Sequence, residues 1–553
     1  MPKPASISPV MTQIDTIVYI MMENRSFDSL LGWLYGNPST AIPNPLPAGS
    51  TSTFNGLTTD LSNSYRGTNE PVSYGTNPSP RTHHTAAFAE PMRVPRYDPK
   101  EPYWQTTAGY TGGVVNQLYA DGDGNLPDDP WPSTPPMSGF AFDYAEAGDS
   151  PQEVMGAYTP GQLPILNGLA LNFAVSDRWF SSVPTQTDAN RAFAVCGTSL
   201  GGVVNGTPET YDTPTLFNVL GENSSKTWAI YYQFQPSNLF GKALGKLVSG
   251  NPNYPTQCYT TQIFPQAQDA VNAGQGSLDD YATFVSQAQA GTLPNFCYLE
   301  PNWGGGVGDA ADHHNYIGIQ GNDYHPAGWL GPAEAYLLEL FQLLTSCRQW
   351  DNMLLVITFD EHGGTYDHEP PTMTVAPDDS AWQAPFKNQW NFQFQRLGVR
   401  VPTILVSPYI TPGTVFRANV TPPDPTSTDG PYDFDHTSMI ATILKWAGID
   451  PSSAGLGSRV AIAPTFESVF SATTSGAAIP SLSTPKEANR PGYASQGGGT
   501  GTVAPRILGG LDDKDIESLI SGMTFREIAN VWGETRTKES FLARLRELKS
   551  KQN

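Results

Sequence analysis

The feature that most constrains this chain is a series of apolar runs between residues 16 and 410: TIVYIMM, ILNGLALNFAVSD, TWAIYYQF, PNFCYLE, NMLLVITFD and VPTILVSPYI. They hold to no strict apolar–polar alternation, so they read as strands buried on both faces, the pattern of a parallel sheet covered by helices. Helical patterns lie between and after them. The clearest are PAEAYLLELFQLLTSCRQW, with Pro332 near its start, and HTSMIATILKWAG, which ends in Gly448. Strand–helix alternation of this kind predicts an α/β fold. In such sheets functional groups collect beyond the carboxyl ends of the strands.

One strand end raises a physical problem. TIVYIMM runs directly into Glu23, Asn24 and Arg25, with no turn residue to release them into solvent. Burying such groups is costly unless something pairs with them. NMLLVITFD repeats the pattern, ending in Asp360, Glu361 and His362 before Gly363 and Gly364. A third segment, FAVSDRWFSSVPTQTDANR, carries Thr187, Asn190 and Arg191 ahead of the helical-looking AFAVCGTS. The oxygen donors Glu23, Asn24, Asp360 and Glu361 at parallel strand ends can converge on one point. Carboxylates gathered there repel, and a divalent cation removes the conflict. All-oxygen ligation favours a hard ion, Ca²⁺ first, with Mg²⁺ or Mn²⁺ as alternatives. A Thr187 hydroxyl on that ion becomes a usable nucleophile. Arg191 or Arg25 could then steady an anionic phosphoryl group.

Composition narrows the partners. The formal charge of −22, from 52 acidic and 30 basic residues, disfavours nucleic acid and anionic membranes. It leaves open a zwitterionic phospholipid or a small phosphate ester, with transient contact at a membrane surface. MPKPASISPVMTQ has no apolar core of a cleavable signal, and no apolar run approaches the roughly 20 residues of a span. The expectation is therefore a soluble chain, cytoplasmic or exported by a route that needs no signal peptide. Cys196, Cys258, Cys297 and Cys347 are widely spaced without a CxxC pair, which argues against a cysteine zinc site and leaves their pairing open.

Residues 1–471 read as a catalytic domain. Within it, 36–135 form a loop-rich insertion of the sort that caps a site. Residues 472–506 are a linker by composition, and 507–553 a helical segment with a basic end.

MMENRSFD, TDANR, NDYHP and TFDEHGG, in that order, together resemble the bacterial phosphoesterase family of phosphatidylcholine-hydrolysing phospholipases C and acid phosphatases, within the alkaline phosphatase superfamily. MSGFAFDYAE, LNFAVSDRWFSSVP, TWAIYY and FDHTSMIATIL support the likeness, which runs from about residue 15 to residue 450. It implies a three-layer sandwich around a central mostly parallel sheet. It also implies a metal held by Glu23, Asn24, Asp360 and Glu361, and Thr187 as nucleophile within a T-x-P-N-R pattern. His325 would contact the phosphoryl group or protonate the leaving group, with Asp323 nearby and His436 as a further pocket residue. Ala189 replaces the usual proline of that pattern, which predicts a looser loop around Thr187. Members of the family are often secreted, some as virulence factors.

The implied reaction is hydrolysis of phosphatidylcholine-type diesters to diacylglycerol and a phosphorylated headgroup through a phospho-Thr187 intermediate. The alternatives are a broad acid phosphatase and, further off, an inactive lipid- or phosphate-binding protein. Thr185 is the nearest rival hydroxyl and lacks the spacing to Asn190 and Arg191. His362 and His368 rank below His325. The doublets His83-His84 and His313-His314 are candidates at most for a place behind the ligands. DGDGN at 121–125 reads as a turn, since it lacks the glycine and glutamate positions of a calcium loop. Tyr97, Tyr103, Trp104, Tyr110 and Trp131 belong to the packing of the insertion, with a choline-binding aromatic face as the functional alternative.

Overall fold

A computed structural model describes residues 11–75, 94–95, 98–103, 105–107, 110–128, 132–146, 150–206, 208–233, 258–303, 305–307, 317–319, 321–326, 328–377, 392–419, 432–483 and 547. Most of the expected linker and helical segment lies outside these residues, as do both histidine doublets, Tyr97, Trp104 and Trp131.

Nine strands form one sheet among the described residues. They are β1 Thr16–Met22, β2 Asn44–Leu46, β3 Ala174–Ser176, β4 Trp228–Tyr232, β5 Ser277–Asp280, β6 Phe296–Leu299, β7 Met353–Phe359, β8 Thr403–Val406 and β9 Thr414–Phe416. Their order is β5-β4-β6-β1-β7-β8-β3-β9-β2. β8 is antiparallel to both neighbours, and every other adjacent pair is parallel. The central strands β1 and β7 are apolar throughout save Thr16 and Thr358, and every residue of both is buried, as continuous rather than alternating runs require.

Six helices frame or support the site: α1 Phe27–Leu31, α2 Val114–Tyr119, α3 Pro164–Asn172, α4 Thr187–Cys196, α5 Gly331–Ser346 and α6 His436–Trp446. Tyr19 of β1 and its register partner Tyr298 line a small apolar gap with Ala194 and Val195 of α4 and Met439 and Ile443 of α6. On the opposite face Phe359, register partner of Met22, meets the Tyr324 ring at 5.4 Å. The Tyr324 hydroxyl donates to Glu334 of α5 at 2.7 Å. The same Glu334 carboxylate accepts from the amides of Ile165 and Leu166 at the start of α3, at 2.7 and 3.1 Å. Helices thus cover both faces of a mostly parallel sheet, and the three-layer α/β architecture is as expected.

The run ILNGLALNFAVSD is a correction. Its apolar pattern predicts a strand, but most of it is α3, and only Ala174–Ser176 enters the sheet. Pro164 stands in the first turn, where its missing N–H is harmless. Ile165, Leu166, Leu169 and Ala170 are buried at helical spacing. A short apolar run carries both periods, and here the tertiary cap from Glu334 decides for the helix. The cysteines are four free, buried thiols. No helix among the described residues is long and apolar enough to cross a membrane.

The antiparallel strand is braced by a buried ionic cluster at its entrance. Arg400 donates from Nε to Asp367 and from Nη2 to Asp28, each at 2.9 Å, and from Nη1 to the carbonyls of Asn55 and Asp177, each at 2.8 Å. His368 reaches the other oxygen of Asp28 through Nδ1 at 2.6 Å and Asn55 Oδ1 through Nε2 at 3.0 Å. Burial works to raise the Asp28 pKa, but His368 and Arg400 together hold it below its ordinary value. Burial works to lower that of His368, and Asp28 outweighs it, so the imidazole is raised.

Removing one member of a buried pair leaves an uncompensated charge, so Arg400→Met should lower the unfolding free energy by about 3–5 kcal/mol, read by urea denaturation. The His368 contribution is a raised-pKa case: it is present in full below the unfolded value of about 6.5 and is lost as pH rises through the higher folded value. The stability gap between the wild type and His368→Gln should therefore be widest at about pH 5.5 and shrink on the alkaline side. A gap constant across that range would contradict the pairing with Asp28.

Candidate active site

The carboxyl ends of β1 and β7 lie side by side, with Met22 in register with Phe359. The residue after each strand is an acid, so Glu23 and Asp360 are neighbours by register alone. The Asn24 amide donates to Asp360 Oδ1 at 3.1 Å, and the Glu23 amide to the Asp323 carbonyl at 2.8 Å. Asn24 adopts φ +51°, a left-handed conformation that asparagine tolerates better than most residues.

The glycine pair makes this convergence possible. Gly363 has φ +59°, and a Cβ there would sit 1.9 Å from the Asn24 carbonyl oxygen. Gly364 has φ +62°, and its Cβ would meet Pro99 Cβ at 2.5 Å and the Lys100 carbonyl at 2.9 Å. One glycine admits the backbone of β1's end, and the other admits a segment of the insertion.

Thr187 is the first residue of α4, and Asn190 and Arg191 lie within that helix rather than ahead of it. Ala189 stands in the first turn of that helix. Asn190 Oδ1 accepts from the Val183 amide, and its Nδ2 donates to the carbonyls of Val183 and Thr185 at 3.1 and 2.8 Å, which ties down the loop before the helix. Thr187 Oγ1 lies 3.3 Å from both Glu23 Oε2 and Asn24 Oδ1. Thr185, by contrast, donates to the Val203 carbonyl at 2.5 Å and accepts from the Tyr103 amide at 3.1 Å. Its hydroxyl holds a loop.

Arg191, one turn after Thr187, is fully buried. Its Nε donates to Glu23 Oε1 at 3.0 Å and lies 3.3 Å from Asp360 Oδ2. Its Nη2 also bonds Glu23 and the carbonyls of Met21 and Met22, and the guanidinium stacks on Trp303 at 4.4 Å. Any phosphoryl contact by Arg191 falls to the remainder of its guanidinium. Arg25 is a structural residue, donating to the carbonyls of Tyr324 and Val94 at 2.9 and 2.6 Å. Ser26 caps α1 by accepting from the Ser29 amide.

His325 Nε2 lies 3.0 Å from Asn24 Nδ2, and its Nδ1 lies 2.9 Å from the Pro326 carbonyl. An amide nitrogen only donates, so in this arrangement Nε2 accepts and Nδ1–H donates to Pro326. Burial works against charge on the ring, but Asp98, Glu101 and Asp323 outweigh it and push His325 up to about 9. The ring thus holds a tautomer whose free nitrogen sits in a field that draws a proton. Asp323 Oδ1 accepts the His325 amide at 3.3 Å. His436 Nε2 lies 2.6 Å from the Asp360 carbonyl, so this ring supports the strand end rather than standing apart in a pocket. His362 sits between Gln117 and Glu361, at 2.7 and 3.3 Å.

The site is crowded with acid. Burial, then Asp360, push Glu23 well up, against Arg191. Burial, then Asp360, do the same to Glu361, and burial, then Glu361 and Asp98, to Glu101. Glu361 Oε1 is buried and has no hydrogen-bond partner among the described residues. A buried carboxylate oxygen without a donor, at the strand end next to the one where Thr187 Oγ1 meets the Glu23 and Asn24 oxygens, is the kind of ligand a hard divalent cation takes. Two acidic groups each bring three ligand atoms within 4.8 Å: Asp98, Glu101 and His325 beside Asn24, and Asp28, Asp367 and His368 in the brace.

Sequence reasoning missed Glu101 and Asp98. PRYDPKEPYW has no periodicity and no motif, and the one signal was two acids inside an insertion long enough to fold over a site. Of the aromatic residues expected there, Tyr103 packs on Phe392 at 4.8 Å.

An oxygen-rich α/β centre with a hydroxyl at a helix N-terminus suits a hydrolase that acts on anionic esters such as phosphates. The profile of the Phosphoesterase family matches residues 14–450. The chain belongs to that family and is a phosphoric ester hydrolase. It is 31% identical over 485 residues to non-specific phospholipase C4 of Arabidopsis thaliana, covering 85% of this chain and 74% of that protein. Non-specific phospholipase C6 of the same plant is 32% identical over 467 residues, at 83% and 73%. Phospholipase C A of Mycobacterium tuberculosis is 24% identical over 472 residues, at 79% and 74%. Among solved structures, an alkaline phosphatase superfamily protein from Vibrio parahaemolyticus aligns with 12% identity and a TM-score of 0.27, over 55% of this chain and 65% of that one, too loosely to carry an argument.

Gly274 provides a matched control for the tight glycines. It also has a positive φ, +72°, but a Cβ there meets nothing within 4 Å. Gly274→Ala should cost only the conformational term of about 1–2 kcal/mol, whereas Gly363→Ala should cost clearly more and reduce turnover at least about tenfold. Equal losses in urea denaturation would show that the approach to Asn24 is not tight.

Proposed function

We propose that this protein is a metal-dependent phospholipase C that cleaves phospholipid diesters between glycerol and phosphate. One observation carries the reading: the Thr187 hydroxyl stands at a helix N-terminus, 3.3 Å from the oxygens of both Glu23 and Asn24. The plant and mycobacterial relatives named as phospholipases C favour the diester over a monoester.

Glu23, Asn24, Thr187, Asp360 and Glu361 would hold a divalent cation, with Ca²⁺ the first expectation. Bound there, the ion lowers the hydroxyl pKa of Thr187 and offsets negative charge on phosphoryl oxygens. Thr187 Oγ1 passes its proton to Glu23 Oε2, 3.3 Å away, and attacks phosphorus, forming the threonine–phosphate bond as the bond to the glycerol oxygen breaks. The positive end of the α4 dipole, where Thr187 sits, favours the developing charge. Arg191 contacts both Glu23 and Asp360 and holds them in place. His325 carries a proton on Nε2 once its contact with Asn24 opens, and delivers it to the diacylglycerol oxygen. Water then cleaves the phospho-threonine and releases the phosphorylated headgroup.

The test compares p-nitrophenyl phosphorylcholine with p-nitrophenyl phosphate, before and after chelation and metal restoration. Thr187→Ala should lower turnover at least about a thousandfold while the melting temperature stays within a few degrees. Faster hydrolysis of the monoester would move the protein to the acid phosphatases. An active Thr187→Ala would end the covalent mechanism.

A further inference from the structure

A carboxamide can present either its oxygen or its nitrogen to a metal, and only the oxygen ligates. Asn24 therefore needs something that fixes which way its amide points. In the structure Nδ2 donates to Glu101 Oε1 at 2.6 Å, while Oδ1 faces Thr187 Oγ1 at 3.3 Å. A carboxyl oxygen that carries no proton only accepts hydrogen bonds. With Nδ2 engaged by Glu101 Oε1, the amide oxygen is left on the side of Thr187. His325 Nε2, with Nδ1–H on the Pro326 carbonyl, accepts from the same Nδ2 at 3.0 Å, so Glu101 at 2.6 Å is the nearer of two acceptors that hold this orientation.

Glu101 is held where it can do this. Only 8% of it is exposed. The Gln117 side chain donates to the Lys100 carbonyl at 2.6 Å, and the Val114 and Val115 amides to the carbonyls of Pro102 and Tyr103 at 3.0 and 3.1 Å. Helix α2 thus clamps residues 100–103 from one side. The bare Cα of Gly364 admits Pro99 and Lys100 from the other, and its chain neighbour two residues back is His362, which bonds the same Gln117. The segment after β7 and the insertion therefore meet around one backbone stretch, and the side chain issuing from it is Glu101.

We propose that Glu101 is a positioning residue: supplied by the insertion, it locks the Asn24 carboxamide with its oxygen towards Thr187 and the metal. The role rests on the proposed metal site at Glu23, Asn24, Thr187, Asp360 and Glu361. It makes the insertion part of the catalytic centre's assembly, since the ligand geometry of β1's end is set by a side chain 77 residues away in sequence. It also separates two functions within one acid cluster, with Glu23 and Glu361 turned to the ion and Glu101 turned to a ligand.

The experiment measures Ca²⁺ and Mn²⁺ affinity by chelator competition, with kcat and KM in parallel, for the wild type, Glu101→Gln and Glu101→Ala. Glutamine keeps an oxygen that accepts from Asn24 Nδ2, and alanine does not. Glu101→Ala should weaken metal binding about 10–100-fold and lower kcat more than it raises KM, as loss of a partner behind a ligand does. Glu101→Gln, which offers Asn24 either an oxygen or a nitrogen, should lie between the wild type and Glu101→Ala. A Glu101→Ala protein that binds metal like the wild type overturns the proposal. If Glu101→Ala fails to fold, Glu101→Gln against Glu101→Leu in the metal titration decides the same point. A wild type that binds neither ion and ignores chelation would instead refute the metal site itself, whatever the variants do.

Discussion

Everything at this centre depends on carboxylates being forced together at the ends of two adjacent parallel strands. β1 and β7 are in register to their last residues, so the acids that come next cannot avoid one another. Among the described residues, the guanidinium that meets both Glu23 and Asp360 is that of Arg191, on the helix that begins with Thr187. The nucleophile is thereby fixed too. Thr187 and Arg191 are one helical turn apart, so anchoring the guanidinium to the strand ends brings the hydroxyl up to Glu23 and Asn24. Moving the helix would break both at once.

A second layer of constraint comes from backbone. Asn24, Gly363 and Gly364 all have positive φ, and the two glycines are packed so closely that a methyl group fits at neither. Local strain of this kind persists where the surroundings over-determine it. Here the surroundings are the end of β1, the turn after β7 and the insertion, which enter one small volume from three distant parts of the chain. Three backbones are in contact at the site, so its geometry is set by their packing and not by any one loop.

The sheet and the strand-end acids were legible in the sequence for a plain reason. Strands buried on both faces have no polar alternation, and charged residues placed directly after them have nowhere to go but towards each other. Thr187, Glu23, Asn24, Asp360 and Glu361 were readable from that pattern and from the order of four motifs. The segment 163–173 was not, because a short apolar-rich run suits either period, and the helix is selected by Glu334, 169 residues from the amide it caps. Glu101 was invisible for a related reason. Its role lies in a contact made possible by a glycine 263 residues further on, and nothing local to PKEPY encodes it. The antiparallel β8 also left no trace, since VPTILVSPYI reads the same in either direction of travel.

The molecule contains its own control for the inferred cation. In the brace, Asp28 and Asp367 are as deeply buried as the acids of the site, yet each is met by Arg400, and Asp28 also by His368. Nearby, Arg178 bonds Asp433 and Glu369 in the same manner. Asp28 and Glu369 are accordingly held below their ordinary values, while at Asp367 burial outweighs Arg400 and pushes the carboxyl up to about 7. At the strand ends neither glutamate is brought down. Glu23, Glu361 and Glu101 are all pushed up, and Glu361 keeps a buried oxygen with no donor among the described residues. Buried acids of the brace are met by arginine, whereas at the strand ends Glu361 keeps an oxygen with no donor among the described residues. Where Thr187 meets Glu23 and Asn24, a divalent cation is a counter-charge that fits the all-oxygen donor set.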